Sequence, residues 1–147
     1  MRPLALILRI ALGVIFVYAA WIKLNTRWEL FALAIDSYQI LPMRWVEFVA
    51  HTLPWVELAV GLGLIVGLWL RVWATITSVL LAVFFGLMVR AYAKGMEISC
   101  GCFGPGEIIS WKTLVRDGSL LAGALALTWM SFLSAVDSLR SRRRKTV

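Results

Sequence analysis

Four stretches of this 147-residue chain come close to the roughly 20 consecutive apolar residues a helix needs to cross a bilayer; they are Leu4 to Ile22, Leu53 to Leu70, Val72 to Val89 and Gly118 to Val136. In hydrocarbon every backbone polar group must be satisfied within the segment, and a helix does this alone. A hydrophobic content of 61% and a mean hydropathy of +0.85 are too high for a soluble domain. The length is too short for two membrane domains. The expectation is an all-α integral membrane protein, a four-transmembrane-helix bundle over residues 1–139, followed by a basic tail over 140–147. Tryptophans near the ends of these stretches (Trp21, Trp55, Trp69, Trp73, Trp111) fit an interfacial aromatic belt.

Arg2 before an apolar run that ends at Ala19-Ala20 has the outline of a secretory signal. Arg9 interrupts the apolar region and Lys23 follows it, so the segment reads as a retained helix whose Arg9 snorkels toward the nearer surface. Arg140 and Arg142 to Lys145 crowd positive charge directly after the fourth stretch, which places that end in the cytoplasm. With four crossings the amino terminus and the Arg71 turn share that side. The formal excess of +7 then sits entirely on the cytoplasmic face, because acidic residues balance basic ones on the other. A basic run beside a span is a topology anchor or an anionic-lipid contact rather than a nucleic-acid site.

Between the first two stretches, Thr26 and Glu29 form a capping-box pattern, and Trp28, Phe31, Ile35 and Tyr38 recur at helical spacing until Pro42. The pattern predicts a short interfacial helix in the first outer loop, either packed on the bundle or lying over a site. Pro54 either starts the second span or kinks it, and Gly63 and Gly67 make a Gly-x-x-x-Gly spacing for close helix approach. Gly118 and Gly123 are candidates for the same packing role in the last span. Ser110 is a candidate N-cap for that last helix.

Cys100 and Cys102 are the only cysteines, one residue apart in a glycine-rich turn before the fourth stretch. So small a loop confers only about 1.5 kcal/mol in the chain-entropy model, too little for a structural staple. Reversible redox chemistry is the stronger reading, on a side of the membrane where thiols are held oxidising. Lys23, Glu57, Arg90, Arg116 and Asp117 all fall at the depth of this turn. Ionisable groups near hydrocarbon pair with each other or line a functional cavity. Either role is open to them; in the second, Lys23, Arg90 or Arg116 would favour a cysteine thiolate or steady an anion such as a reduced quinone. His51 is the single histidine and brings no further ligand pair, so no metal site is expected.

Tyr18 to Leu24, Tyr38 to Pro42, Pro54 to Glu57 with the glycines that follow, Cys100-Gly-Cys-Phe-Gly104 and Trp111 to Asp117 together resemble the DoxX-like/MauE group of bacterial membrane proteins, and the cysteine motif its MauE branch. The resemblance implies a four-helix architecture akin to the DsbB and vitamin K epoxide reductase proteins, which pass electrons between protein dithiols and quinones. It also implies a place in the bacterial inner membrane and a link to maturation of methylamine dehydrogenase beside a thioredoxin-like partner. One cysteine pair here, where DsbB-type proteins use two, would require direct transfer at that pair. The resulting expectation is a thiol:disulfide oxidoreductase, or its accessory subunit, with Cys100 and Cys102 reactive, an extracytoplasmic thioredoxin-like partner, and membrane quinone as cofactor. The alternative is a non-catalytic assembly factor for a periplasmic enzyme, with transient metal binding as one form of it. A solute carrier is disfavoured, because four short spans leave little room for a pore in one protomer.

Overall fold

The computed structural model describes the backbone of residues 2–101 and 107–145, and the side chains of residues 3–101 and 107–134. Cys102 lies outside the described residues, as do the side chains of the basic tail. Five helices follow in order: α1 (Arg2–Asn25), α2 (Trp28–Asp36), α3 (Met43–Val66), α4 (Leu70–Ala93) and α5 (Trp111–Lys145). Among the described residues there is no strand, only an isolated antiparallel bridge between Ser99 and Ile108. By length and composition α1 from Pro3, α3 and α4 are each able to cross a membrane. This is a membrane protein. Its outer surface agrees, with Ile7, Val14, Val66 and Trp129 pointing away from the bundle.

The helices depart from the sequence expectation at several ends. α3 begins at Met43, well before Leu53, and runs straight through Pro54. Val46, Ala50 and Leu53 form a buried stripe against α2, and that packing holds the first turns although Pro54 brings no N–H to the helix. The capping box does not form. Thr26 instead closes α1, its hydroxyl donating to the Ile22 carbonyl at 2.8 Å and its N–H to the same oxygen at 2.9 Å. α2 starts after Arg27, which makes no side-chain cap, and stops before Tyr38. α5 carries on through the basic residues to Lys145, so tail and last apolar stretch are one helix. Ser110 does cap α5: the Thr113 N–H points to its Oγ at 3.5 Å, and its own N–H donates to Thr113 Oγ1 at 2.8 Å.

In lipid, burying apolar side chains gains little over leaving them in acyl chains, so association rests on close packing. α1 packs chiefly on α3 and α4 on α5, joined by a core of Leu12, Phe16, Val60, Leu64, Ala74 and Leu127. The closest approach is between Gly13 and Gly61. A Cβ on Gly61 would lie 2.8 Å from the Gly13 carbonyl oxygen and 2.9 Å from the Val17 nitrogen, so backbone meets backbone there. The expected Gly63/Gly67 pair does something else. Gly63 accommodates the Trp73 indole, which turns that tryptophan inward from the belt, and Gly67 ends α3 in the left-handed region at φ +76°. Arg9 does not run to a surface of its own. Its Nη2 donates to the Ile65 carbonyl at 3.3 Å, setting a cation at the negative end of α3.

Candidate functional site

The last turn of α1 and the middle of α3 bring Lys23 to Glu57. The ammonium donates to both carboxylate oxygens at 2.6 and 2.7 Å, and the two side chains are only 3% and 7% exposed. Either charge alone at such a place would be costly; together, each provides the other's counter-charge. The Phe31 ring of α2 lies 5.4 Å from the same ammonium.

Beyond α4 the chain forms a narrow, two-sided turn. The Cys100 N–H donates to the Glu107 carbonyl at 2.8 Å and the Ile109 N–H to the Ile98 carbonyl at 3.0 Å, so the segments on either side of the cysteine motif pair. Gly101 at φ +69° turns the chain away from this ladder, close beneath Phe31 and Ala34 of α2. Cys100 is 2% exposed and packs with Met88 and Ala91 of α4 and with Ile109. The Tyr38 hydroxyl donates to its carbonyl at 3.3 Å. α2 therefore both packs on α3 and covers the cysteine turn, and Phe31 touches both the turn and the ion pair.

The Cys100 Sγ donates to Glu107 Oε2 at 3.4 Å, while Glu107 Oε1 accepts from Arg116 Nη1 at 2.6 Å. Arg116 forks onto its neighbour Asp117 through Nε at 3.0 Å and Nη2 at 3.4 Å. The Arg116 hydrogen bond holds the Glu107 carboxyl below its ordinary value of 4.5, more than partial burial raises it. Asp117, itself buried, lines a cavity together with Lys23, Glu57 and the rings of Phe16, Phe84 and Phe85. The cavity has about 40 Å³ of room, enough for a few waters. A continuous set of contacts thus runs from the sulfur through Glu107, Arg116 and Asp117 to the cavity that holds the Lys23–Glu57 pair.

Of the residues expected from the sequence, Cys100, Lys23, Glu57, Arg116 and Asp117 are brought together. Arg90 is exposed on α4 and makes no ion pair with a described residue. Cys102 lies outside the described residues. His51 sits on α3, bonded through Nδ1 to the Glu47 carbonyl at 2.9 Å and stacked on Trp28 at 4.6 Å, where it pins α2. Among the described residues no group of three or more His, Cys, Asp and Glu is placed to hold a metal ion. Glu107 was not expected. Its signal in the sequence is a lone carboxylate just past the glycine-rich turn, and its partner becomes visible only when the Ser99–Ile108 bridge closes.

The model of the family described as methylamine utilisation protein MauE matches residues 1–130. The chain belongs to the MauE family. It is 36% identical over 123 residues to the methylamine utilization protein MauE of Paracoccus denitrificans, covering 82% of this chain and 66% of that one. The MauE protein of Paracoccus versutus is 36% identical over 121 residues, covering 80% and 64%, and that of Methylorubrum extorquens 28% over 115 residues, covering 76% and 61%. The matches thus span somewhat less than two thirds of these relatives' own length. No solved structure matches this MauE-family chain.

Proposed function

We propose that this chain is a membrane maturation factor for a periplasmic enzyme of the methylamine-utilisation kind, working by thiol:disulfide exchange at Cys100 and Cys102. The observation that carries the proposal is the Cys100 sulfur itself, held in a folded turn at the end of the membrane helices and bonded to the Glu107–Arg116–Asp117 set. A cysteine kept only for packing needs no such partner, because its thiol is a weak donor. In the proposed arrangement α5 is the fourth crossing, α2 lies at the outer interface, and both termini face the cytoplasm of a bacterial inner membrane. The turn then meets a thioredoxin-like protein on the extracytoplasmic side. Two thiols become one disulfide, and the partner's disulfide takes the two electrons and two protons to become two thiols.

Membrane quinone is the acceptor proposed for returning the pair to the disulfide. When bound it would supply a lipid-soluble two-electron, two-proton acceptor. The aromatic walls and polar end of the cavity suit a ring bearing carbonyl groups, but its room is that of a few waters, less than a quinone head group needs, so no residue is assigned to hold one.

The test replaces Cys100 and Cys102 by serine, singly and together, and looks in membranes for a reductant-sensitive adduct with a thioredoxin-like protein. A single variant should accumulate the adduct and the double variant should form none. An adduct on the double variant would place the reactive site elsewhere. Full maturation of the periplasmic enzyme with the double variant would favour the non-catalytic assembly role.

A further inference from the structure

We infer that Glu107 holds Cys100 as a buried neutral thiol, which makes Cys100 the resolving cysteine of the pair rather than the one that attacks the partner. The inference rests on the exchange reading above and assigns the order of the two sulfurs. Sequence alone favoured a cation beside the dithiol. The structure interposes a carboxylate: Arg116 reaches Glu107 Oε1, and the sulfur meets Oε2 on the other side at 3.4 Å.

The elements around the sulfur reinforce this. α4 contributes Met88 and Ala91, the turn Ile109, and α5 Leu114, all apolar. Tyr38, after α2, directs its hydroxyl to the Cys100 carbonyl. From α5 the charged groups are Arg116 and Asp117, with the guanidinium shared between Asp117 and Glu107. A thiolate at Cys100 would place a second negative charge against the Glu107 carboxylate in a poorly hydrated site. At 2% exposure the sulfur is also closed to an incoming disulfide.

The first attack therefore falls to Cys102, which forms a mixed disulfide while the partner's other sulfur leaves as a thiol. Cys100 acts second. Its sulfur bonds to the Cys102 sulfur, its proton passes to Glu107 Oε2, and the bond between Cys102 and the partner breaks. The departing thiolate takes the proton from Glu107. The chain's two thiols end as one disulfide and the partner's disulfide as two thiols.

The test measures the iodoacetamide alkylation rate of Cys100 against pH in the full chain carrying Cys102→Ser, in lipid nanodiscs. Glu107→Gln should lower the midpoint of the profile and raise the rate at neutral pH, about tenfold for each pH unit by which the midpoint falls. Glu107→Asp should restore slow alkylation. Arg116→Gln should act in the opposite direction to Glu107→Gln, which separates charge from loosened packing. An unchanged or slower rate in Glu107→Gln, or acceleration by both changes alike, overturns the inference. With oxidised glutathione as the disulfide, Cys100→Ser should form the mixed disulfide faster than Cys102→Ser, and the reverse order also overturns it. If neither variant forms an adduct, the exchange reading and the resolving role fall together, while the alkylation profile still decides the Glu107 contact.

Discussion

Lys23 and Glu57 illustrate what a single residue is worth in a membrane bundle. Removing one partner leaves the other charged at low exposure, at a cost of about 3–5 kcal/mol. Lys23→Met or Glu57→Leu alone should therefore sharply lower the unfolding temperature in lipid. The double variant should recover most of the loss, since two apolar groups of similar size leave no charge behind; a thermal-melt cycle over the four proteins reads this directly. Glu107 provides a pH signature on the outer turn. Its carboxyl is held below its ordinary value of 4.5, so its bond to Arg116 contributes stability that is fully present above that pH and lost as pH falls toward the lower folded value. Amide exchange at Cys100 and Ile109 should accelerate over that acid range and do so much less in Glu107→Gln.

At the scale of elements, the contact between α1 and α3 is set by two glycines and carries the ion pair at its far end. Gly61→Val would drive a side chain into the α1 backbone and part the helices by more than the neighbours can absorb. It should lower thermal stability and at the same time expose Lys23 to an amine-reactive label, whereas Gly86→Val, at a glycine with open space beside it, should do neither. α2 was legible as a helix because Phe31 and Ile35 fall on one face, yet its role was not. Whether such a stripe packs on a neighbour or overhangs a site depends on the distant Gly101 turn, and periodicity carries no information on that. The start of α3 was obscured for a related reason. Arg44, Glu47 and His51 dilute the apolar run over the first turns, and Pro54 reads as a boundary, so only packing against α2 reveals one continuous helix. Charged residues beside apolar stretches stand out in a sequence, which is why Lys23, Glu57, Arg116 and Asp117 could be singled out. Arg90 was grouped with them by depth alone, and the rotation of α4 turns it outward.

For the whole molecule, the family match and the helices agree on a membrane protein whose chemistry is concentrated where the α4–α5 connection meets α1, α2 and α3. The proposed topology is checked by cysteine-scanning with a membrane-impermeant label: sites flanking the turn, such as Lys94 and Lys112, should label from outside intact spheroplasts, and Arg71 only after permeabilisation. Everything proposed for the turn depends on Cys100 and Cys102 forming one reversible two-electron couple. To measure this, the purified protein in lipid is equilibrated with glutathione buffers of graded potential, its thiols are trapped by alkylation, and they are counted by mass. Both thiols should appear and disappear together in a single two-electron transition, at a potential more oxidising than the roughly −300 mV typical of structural disulfides. Thiols that remain alkylatable across the whole range, or that titrate independently of each other, would contradict the exchange mechanism.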